Sequence, residues 1–249
     1  MNIKVIISQD DANPANRIVC KAAQASGAKF IVVSHGYIQD PYLISICPIE
    51  ANMFLTWTDS QMRDIKSVAN NKSKIKCIGF PKHIGKSVSD RNWKNQILFA
   101  SEPLVDRLTK SNYRTHIKSI IDHILREDYN VLFRLHPKER DNQQVISFIK
   151  DQGADISSNS LLEDVESSRL VLGSNTSVLV ESSYLSRATY QVEELARYNF
   201  ESVNKVSIDD LPGLMLTCDH PLNSTPLTMP VDKMSQHVEN LLDSVVGNN

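Results

Sequence analysis

Along the chain, short apolar runs alternate with longer stretches in which apolar residues recur every three or four positions. The runs fall at residues 3–7, 30–33, 53–57, 75–78, 96–100, 131–135, 154–157, 170–172, 188–192 and 205–208. Most are apolar throughout rather than alternating, which predicts parallel strands buried on both faces. Between them the spacing predicts helices. Asn13 caps one, with Pro14 in its first turn; its buried face is expected at Ile18, Val19, Ala22, Ala23 and Ala25, and Gly27 ends it. Thr58, Asp59 and Ser60 open another, with Met62, Ile65, Val68 and Ala69 inward. A third carries Ile117, Ile120, Ile121, Ile124 and Leu125 on one stripe. Asp141 caps a fourth that turns Val145, Phe148 and Ile149 inward, and 161–167 reads as a short helix. Another starts at Asn175, and a last one at 231–246 shows Met234, Val238, Leu241, Leu242 and Val245. Such alternation of strand and helix gives parallel sheets covered on both faces.

The segment 83–95, HIGKSVSDRNWKN, is polar, aperiodic and rich in Ser, and reads as a linker. A boundary near residue 88 gives a smaller acceptor-side α/β domain at 1–88 and a larger nucleotide-binding α/β domain at 89–249. With 41% hydrophobic residues in 249, both can bury real cores. Lys and Arg (27) nearly balance Asp and Glu (29) for a net charge of −2, so no nucleic-acid footprint is expected. No apolar run approaches the roughly 18–20 residues of a membrane span. The opening MNIKVIISQDD reads as the start of a strand rather than a secretion signal. Cys20, Cys47, Cys77 and Cys218 are far apart with no metal-ligand spacing, and read as reduced thiols of a cytoplasmic protein.

Candidate chemistry collects just past the carboxyl ends of the predicted strands: Asp10-Asp11, His35-Gly36, Gly79-Phe80-Pro81, Ser101-Glu102, His136-Pro137 and residues 173–177. Ligands of open parallel sheets bind along that edge, although loops at either end are polar in any case. In RLVLGSNTSVLVESS (169–183) a strand passes through Gly173 into a helix start. The backbone N–H groups there, with the hydroxyls of Ser174, Thr176 and Ser177, suit a phosphate; an ordinary polar cap would look the same. Pro137 restricts His136 to extended backbone. Flanked by Arg134 and Lys138, its imidazole suits a phosphate ester as donor or, if charged, as counter-ion; the alternative is a loop histidine packed under the next helix. Asp10 or Asp11 could serve as a general base or simply hold a capping loop.

VVSHGY, MFLTWTDSQ and IKCIGFP together resemble the second half of the N-terminal domain of bacterial GT-B glycosyltransferases, and VLFRLHP followed by VLGSNTSVLVESSYL resembles their C-terminal, nucleotide-binding domain. The pairing of His-Pro with a Ser/Thr-rich turn is similar to capsule and lipooligosaccharide sialyltransferases, polysialyltransferases, Kdo transferases and CDP-glycerol glycerophosphotransferases. The resemblance implies two Rossmann-like parallel-sheet domains of GT-B type, the N-terminal one shortened. It implies donor contacts at His136, Ser174, Thr176 and Ser177, and a ribose contact at Glu181; Arg134, Pro137, Gly173 and Asn175, read from the residues around them, complete the expected donor site. It implies a base in the N-terminal domain, from Asp10, Asp11 or His35. The sialyltransferase motif carries a glycine after its two acids, where this chain has Ala12. No metal or other cofactor is implied. The implied partners are a nucleotide-sugar donor, CMP- or CDP-linked, and a polysaccharide or glycolipid acceptor. Location is then expected in the cytoplasm, with peripheral association at the inner face of the membrane as a further expectation. A non-catalytic nucleotide-sugar-binding partner of a larger transferase is the first alternative; an epimerase of the UDP-sugar type, which shares the fold, is the second and calls for a denser set of acids and histidines than this sequence offers.

Overall fold

Four short strands build the first sheet: β1 (Val5–Ser8), β2 (Lys29–Val33), β3 (Met53–Thr56) and β4 (Ile75–Cys77). They pair in parallel in the order β1-β2-β3-β4, so each crossover steps the same way. Helix α1 (Pro14–Ala25) joins the first two strands and α2 (Asp59–Val68) the last two. The structure is a computed structural model describing residues 3–34, 36, 38, 43–79, 94–185, 187–200, 203–217 and 239–240. His35, the boundary near 88, most of the linker at 83–95 and nearly all of the helix expected at 231–246 lie outside the described residues.

The second sheet has six parallel strands: β5 (Gln96–Ala100), β6 (Asn130–Arg134), β7 (Asp155–Ile156), β8 (Leu170–Gly173), β9 (Thr189–Val192) and β10 (Asn204–Val206). Their order is β10-β9-β8-β5-β6-β7. From β5 the chain winds outward through β6 and β7, then returns to the other side of β5 and winds out through β8, β9 and β10. The reversal leaves a switch point between β5 and β8. The helices are α3 (Val105–Leu108), α4 (Ser111–Arg126), α5 (Gln143–Asp151), α6 (Leu161–Ser167), α7 (Ser177–Tyr184) and α8 (Leu211–Thr217). Contacts divide the chain into two units, Met1–Gly85 with Thr228–Asn249, and Lys86–Leu227.

The larger core forms where α4 lays Ile117, Ile120, Ile121 and Ile124 over Ile97, Phe99, Val131 and Phe133, all buried. Each such side chain taken fully out of water contributes about 1.5–3 kcal/mol. Phe99 and Phe133 stack at 4.8 Å across neighbouring strands. In the first unit Phe30, Val32 and Phe54 pack with Cys20, Ala23, Ile65 and Ile75.

Four local expectations are corrected. Helix α1 buries Cys20 and Ala23, while Ile18 and Val19 are 70% and 44% exposed. Polar tethers set its rotation: Arg17 Nε donates to Asp11 O at 3.2 Å, and Gln24 Nε2 donates to Glu50 O at 2.8 Å. These residues and Cys20 share one helical face. The cap of α5 is Asn142, whose Oδ1 accepts from Gln144 N and Val145 N, rather than Asp141. Helix α7 begins at Ser177 behind a Thr176 cap, two residues later than its apolar spacing implies. Helices α3 and α8 were not expected at all.

Candidate functional site

Because every pairing is parallel, β5, β6 and β8 end on one edge of the second sheet. The Ser101-Glu102 turn follows β5, with the His136 turn on one side and the 173–177 turn on the other. At strand spacings of roughly 5 Å, the ends of β6 and β8 that feed the two flanking turns are about 10 Å apart. The switch point between β5 and β8 is where an open α/β sheet leaves a crevice for ligands. Gly173 pairs with Ala100 at its floor. A Cβ on Gly173 would meet Ala100 O at 2.6 Å, so this close approach requires glycine.

The crevice is organised by a residue that the sequence places on the edge but gives no role. Glu102 is 2% exposed. Its Oε1 accepts from Asn175 Nδ2 at 3.0 Å, Tyr113 OH at 3.3 Å and Ser174 Oγ at 3.4 Å. Its Oε2 receives the guanidinium of Arg197 and lies 3.7 Å from that of Arg107. Burial and the neighbouring carboxylate push the Tyr113 phenol well up, so it remains a donor. Asn175 also donates to Leu195 O at 3.0 Å and accepts from Arg197 N at 2.8 Å. Ser174 and Asn175 are thus buried in the scaffold. Thr176, Ser177 and Val178 are the partly accessible part of the turn, and Thr176 caps the helix by accepting from Val178 N. Glu181, one turn further in, is buried.

On the other flank, Ser101 Oγ donates to Arg134 O at 3.2 Å and accepts from His136 N at 3.2 Å, fixing the exit of β6. Glu139, also buried, holds Leu104 N between its two oxygens at 2.6 and 2.7 Å. Burial lowers the His136 imidazole below its ordinary 6.5; Glu139 raises it and Lys138 lowers it further. Lys138 N donates to His136 Nδ1 at 3.3 Å, which in the neutral ring leaves the proton on Nε2. Burial thus favours the neutral ring, a hydrogen-bond donor through Nε2, over the charged counter-ion. Arg134 is engaged elsewhere, its Nη1 meeting Asp164 Oδ2 at 2.5 Å and Asn159 O at 3.0 Å. Arg134 and Leu135 also line a cavity of about 390 Å³ with Arg140, Lys150, Ser157 and Asn159. That volume is within the ~300–1,000 Å³ of small-molecule sites.

In the first unit the edge is spent on its own loops. Asp10 Oδ1 accepts from Ala12 N and Asn13 N, both at 3.1 Å. Asp11 is 1% exposed, and its Oδ2 accepts from Glu50 N at 2.8 Å and Ala51 N at 2.7 Å. Ser34 Oγ donates to Gly36 O; Gln61 Nε2 reaches both, and Trp57 Nε1 donates to Ser34 O at 2.7 Å. Cys20, Cys47 and Cys77 are free thiols, all pushed up by burial. Among the described residues no three His, Cys, Asp or Glu gather where they could hold a metal ion, and no helix is long and apolar enough to cross a membrane.

Solved structures share the fold along most or all of this chain. A UDP-N-acetylglucosamine 2-epimerase assignment from Listeria monocytogenes superposes with a TM-score of 0.65 at 11% identity, covering 100% of this chain and 75% of that one. A glycosyltransferase from Rickettsia africae gives 0.60 at 10% identity, covering 100% and 78%. TarM gives 0.58 at 12% identity, covering 98% of this chain and 55% of its own. The fold is that of the GT-B glycosyltransferases. At these identities the likeness is one of fold, and the chain spans little more than half of TarM. A mutant TarM from S. aureus, at 12% identity and a TM-score of 0.53, was solved with UDP and alpha-GlcNAc-glycerol; it covers 90% of this chain and 51% of that one. No protein-family model and no curated protein sequence matches the chain.

Proposed function

We propose that this GT-B chain is a nucleotide-sugar-dependent glycosyltransferase whose six-stranded unit grips the donor. CMP- or CDP-linked donors are favoured by the resemblance of its His-Pro and Ser/Thr motifs, with a surface polysaccharide or glycolipid as acceptor; the UDP bound by TarM makes UDP the competing choice. The observation that carries the reading is the flanking of the β5 tip by His136 and the 173–177 turn on a single sheet edge. An acceptor hydroxyl attacks the anomeric carbon while the bond to the nucleotide's phosphate breaks, its electron pair leaving with the phosphate oxygen. The acceptor's proton passes to a base. Neutral His136 donates Nε2–H to the departing phosphate, and the start of α7 at Thr176 and Ser177 supplies further donors and the positive end of the helix. The glycine at 173 keeps the floor close, Ser174 and Asn175 hold the turn, and Pro137 holds the histidine. Arg134 shapes the neighbouring cavity, which is a seat for the nucleoside, and Glu181 is the ribose carboxylate. Of the three expected bases, Asp10 and Asp11 hold backbone amides, so His35 is carried forward.

The same commitment of Asp10 and Asp11 favours a second reading, a nucleotide-sugar binder that assists a fuller transferase. Calorimetry with CMP, CDP, UDP and GDP tests the shared premise, and His136→Ala is expected to weaken nucleotide binding by roughly tenfold, the worth of one hydrogen bond to a charged group. Unchanged affinity in that variant overturns the site. Donor-hydrolysis and transfer assays then separate the two readings, since binding without turnover supports the assisting role.

A further inference from the structure

Glu102 presents a puzzle if the β5 tip faces an anionic donor, because a carboxylate there would repel phosphate. Its surroundings resolve the puzzle. Two guanidiniums, from Arg107 and Arg197, offset its charge and leave the group net positive. Its Oε1 is occupied by Asn175 and Ser174 of the turn after β8 and by Tyr113 of α4. With Asn175 and Arg197 the contacts close into a ring. Glu102 takes the head of Arg197 and the amide of Asn175, while Asn175 Oδ1 takes the backbone N–H of the same arginine. Arg197 is therefore held at both ends, yet its side chain is 38% exposed. Buried ion pairs add little net stability over apolar packing of the same volume, so the core gains little from a carboxylate here. What the ring does supply is a guanidinium and a turn fixed in one geometry at the switch point.

We infer that Glu102 is a positioning residue of the donor site, holding the 174–177 turn and the Arg197 guanidinium in register for the donor's phosphates. The inference rests on the donor-binding reading above and extends it to two residues that carry no motif. Arg197 then meets the phosphate, and Glu102 acts through it and through the turn, without touching the ligand.

The test compares phosphate-bearing and phosphate-free ligands on the intact chain: CDP and UDP by calorimetry, cytidine and uridine by NMR titration. Glu102→Gln is expected to lower diphosphate affinity by about ten- to a hundredfold, the worth of charge-assisted hydrogen bonds, with nucleoside affinity unchanged. Arg197→Gln should give the same split, and the double variant should be no worse than the poorer single one. A merely structural role would lower both ligand types together, and that result, or wild-type diphosphate affinity in Glu102→Gln, overturns the inference while leaving the donor site standing. If Glu102→Gln fails to fold by thermal unfolding, Arg197→Gln decides alone, with unchanged diphosphate affinity overturning the inference. Wild-type protein that binds neither nucleotide overturns the donor-binding reading and this inference with it.

Discussion

The two sheets share strand type, parallel pairing and a polar carboxyl edge, but they use that edge differently. In the four-stranded sheet the order runs straight from β1 to β4, so each strand end opens into the loop that feeds the next crossover. Its described edge groups close those loops: Asp10 on its own turn, Asp11 on the 50–51 amides, Gln61 on the Ser34 turn. In the six-stranded sheet the order reverses at β5 and β8, and the loops leaving those two strands diverge. Donors gathered there have no single loop to close, and they collect instead on Glu102. Polar residues at strand ends are thus loop chemistry by default. A reversal of strand order is what leaves them a crevice.

The largest effect expected from this contrast belongs to Asp11. Replacing it with Ala strands the Glu50 and Ala51 amides in a site that is 1% exposed. Each buried amide left unpaired costs roughly 1–3 kcal/mol, so Asp11→Ala should lose several kcal/mol in denaturant unfolding. A variant that keeps its stability but loses transfer would make Asp11 the base and break the contrast. Gly173→Ala comes next. The added methyl would stand 2.6 Å from Ala100 O, a backbone atom between paired strands. The strain expected is about 1–3 kcal/mol. Because it falls at the switch point, nucleotide affinity should drop along with the melting temperature, whereas Asp11→Ala, where it still folds, should spare affinity.

Much of the scaffold was legible in the sequence because strands buried on both faces permit few readings. The run 96–100 and the short helix 161–167 have the same bounds in the fold, the latter because Ser160 and Glu163 form a reciprocal capping box at its start. Where apolar spacing misled, as with Ile18 and Val19, long-range polar tethers at Arg17 and Gln24 decided which face turned inward. A four-residue helix such as α3 has no period to detect, and α8 carries Pro212 and Gly213 near its start. The candidate site was half visible. His136 and residues 173–177 announce themselves through Pro137, Gly173 and the cluster of hydroxyls. Glu102 and Arg197 lie 95 residues apart with nothing local to join them, and only the strand order brings them together.

The smallest effect belongs to Asp10, and it bears on the contrast most directly. A carboxylate that takes a proton from a hydroxyl near neutral pH works best when its own titration is raised toward that pH. Burial pushes Asp10 that way, but the amides of Asn13 and Ala12 and the side chains of Asn16 and Asn13 outweigh it, and the carboxyl sits below its ordinary 3.8. Since the folded-state value is the lower one, the contribution of Asp10 to stability is present above 3.8 and is lost as pH falls through the depressed value. Carboxyl NMR titration is expected to give a midpoint below 3.8. Asp10→Asn should then cost a little stability at neutral pH and nothing in strong acid, with any transfer activity intact. A midpoint raised toward neutrality, together with transfer lost in Asp10→Asn, would make Asp10 the base in place of His35 and show that a described edge group of the four-stranded sheet does more than close its own loop.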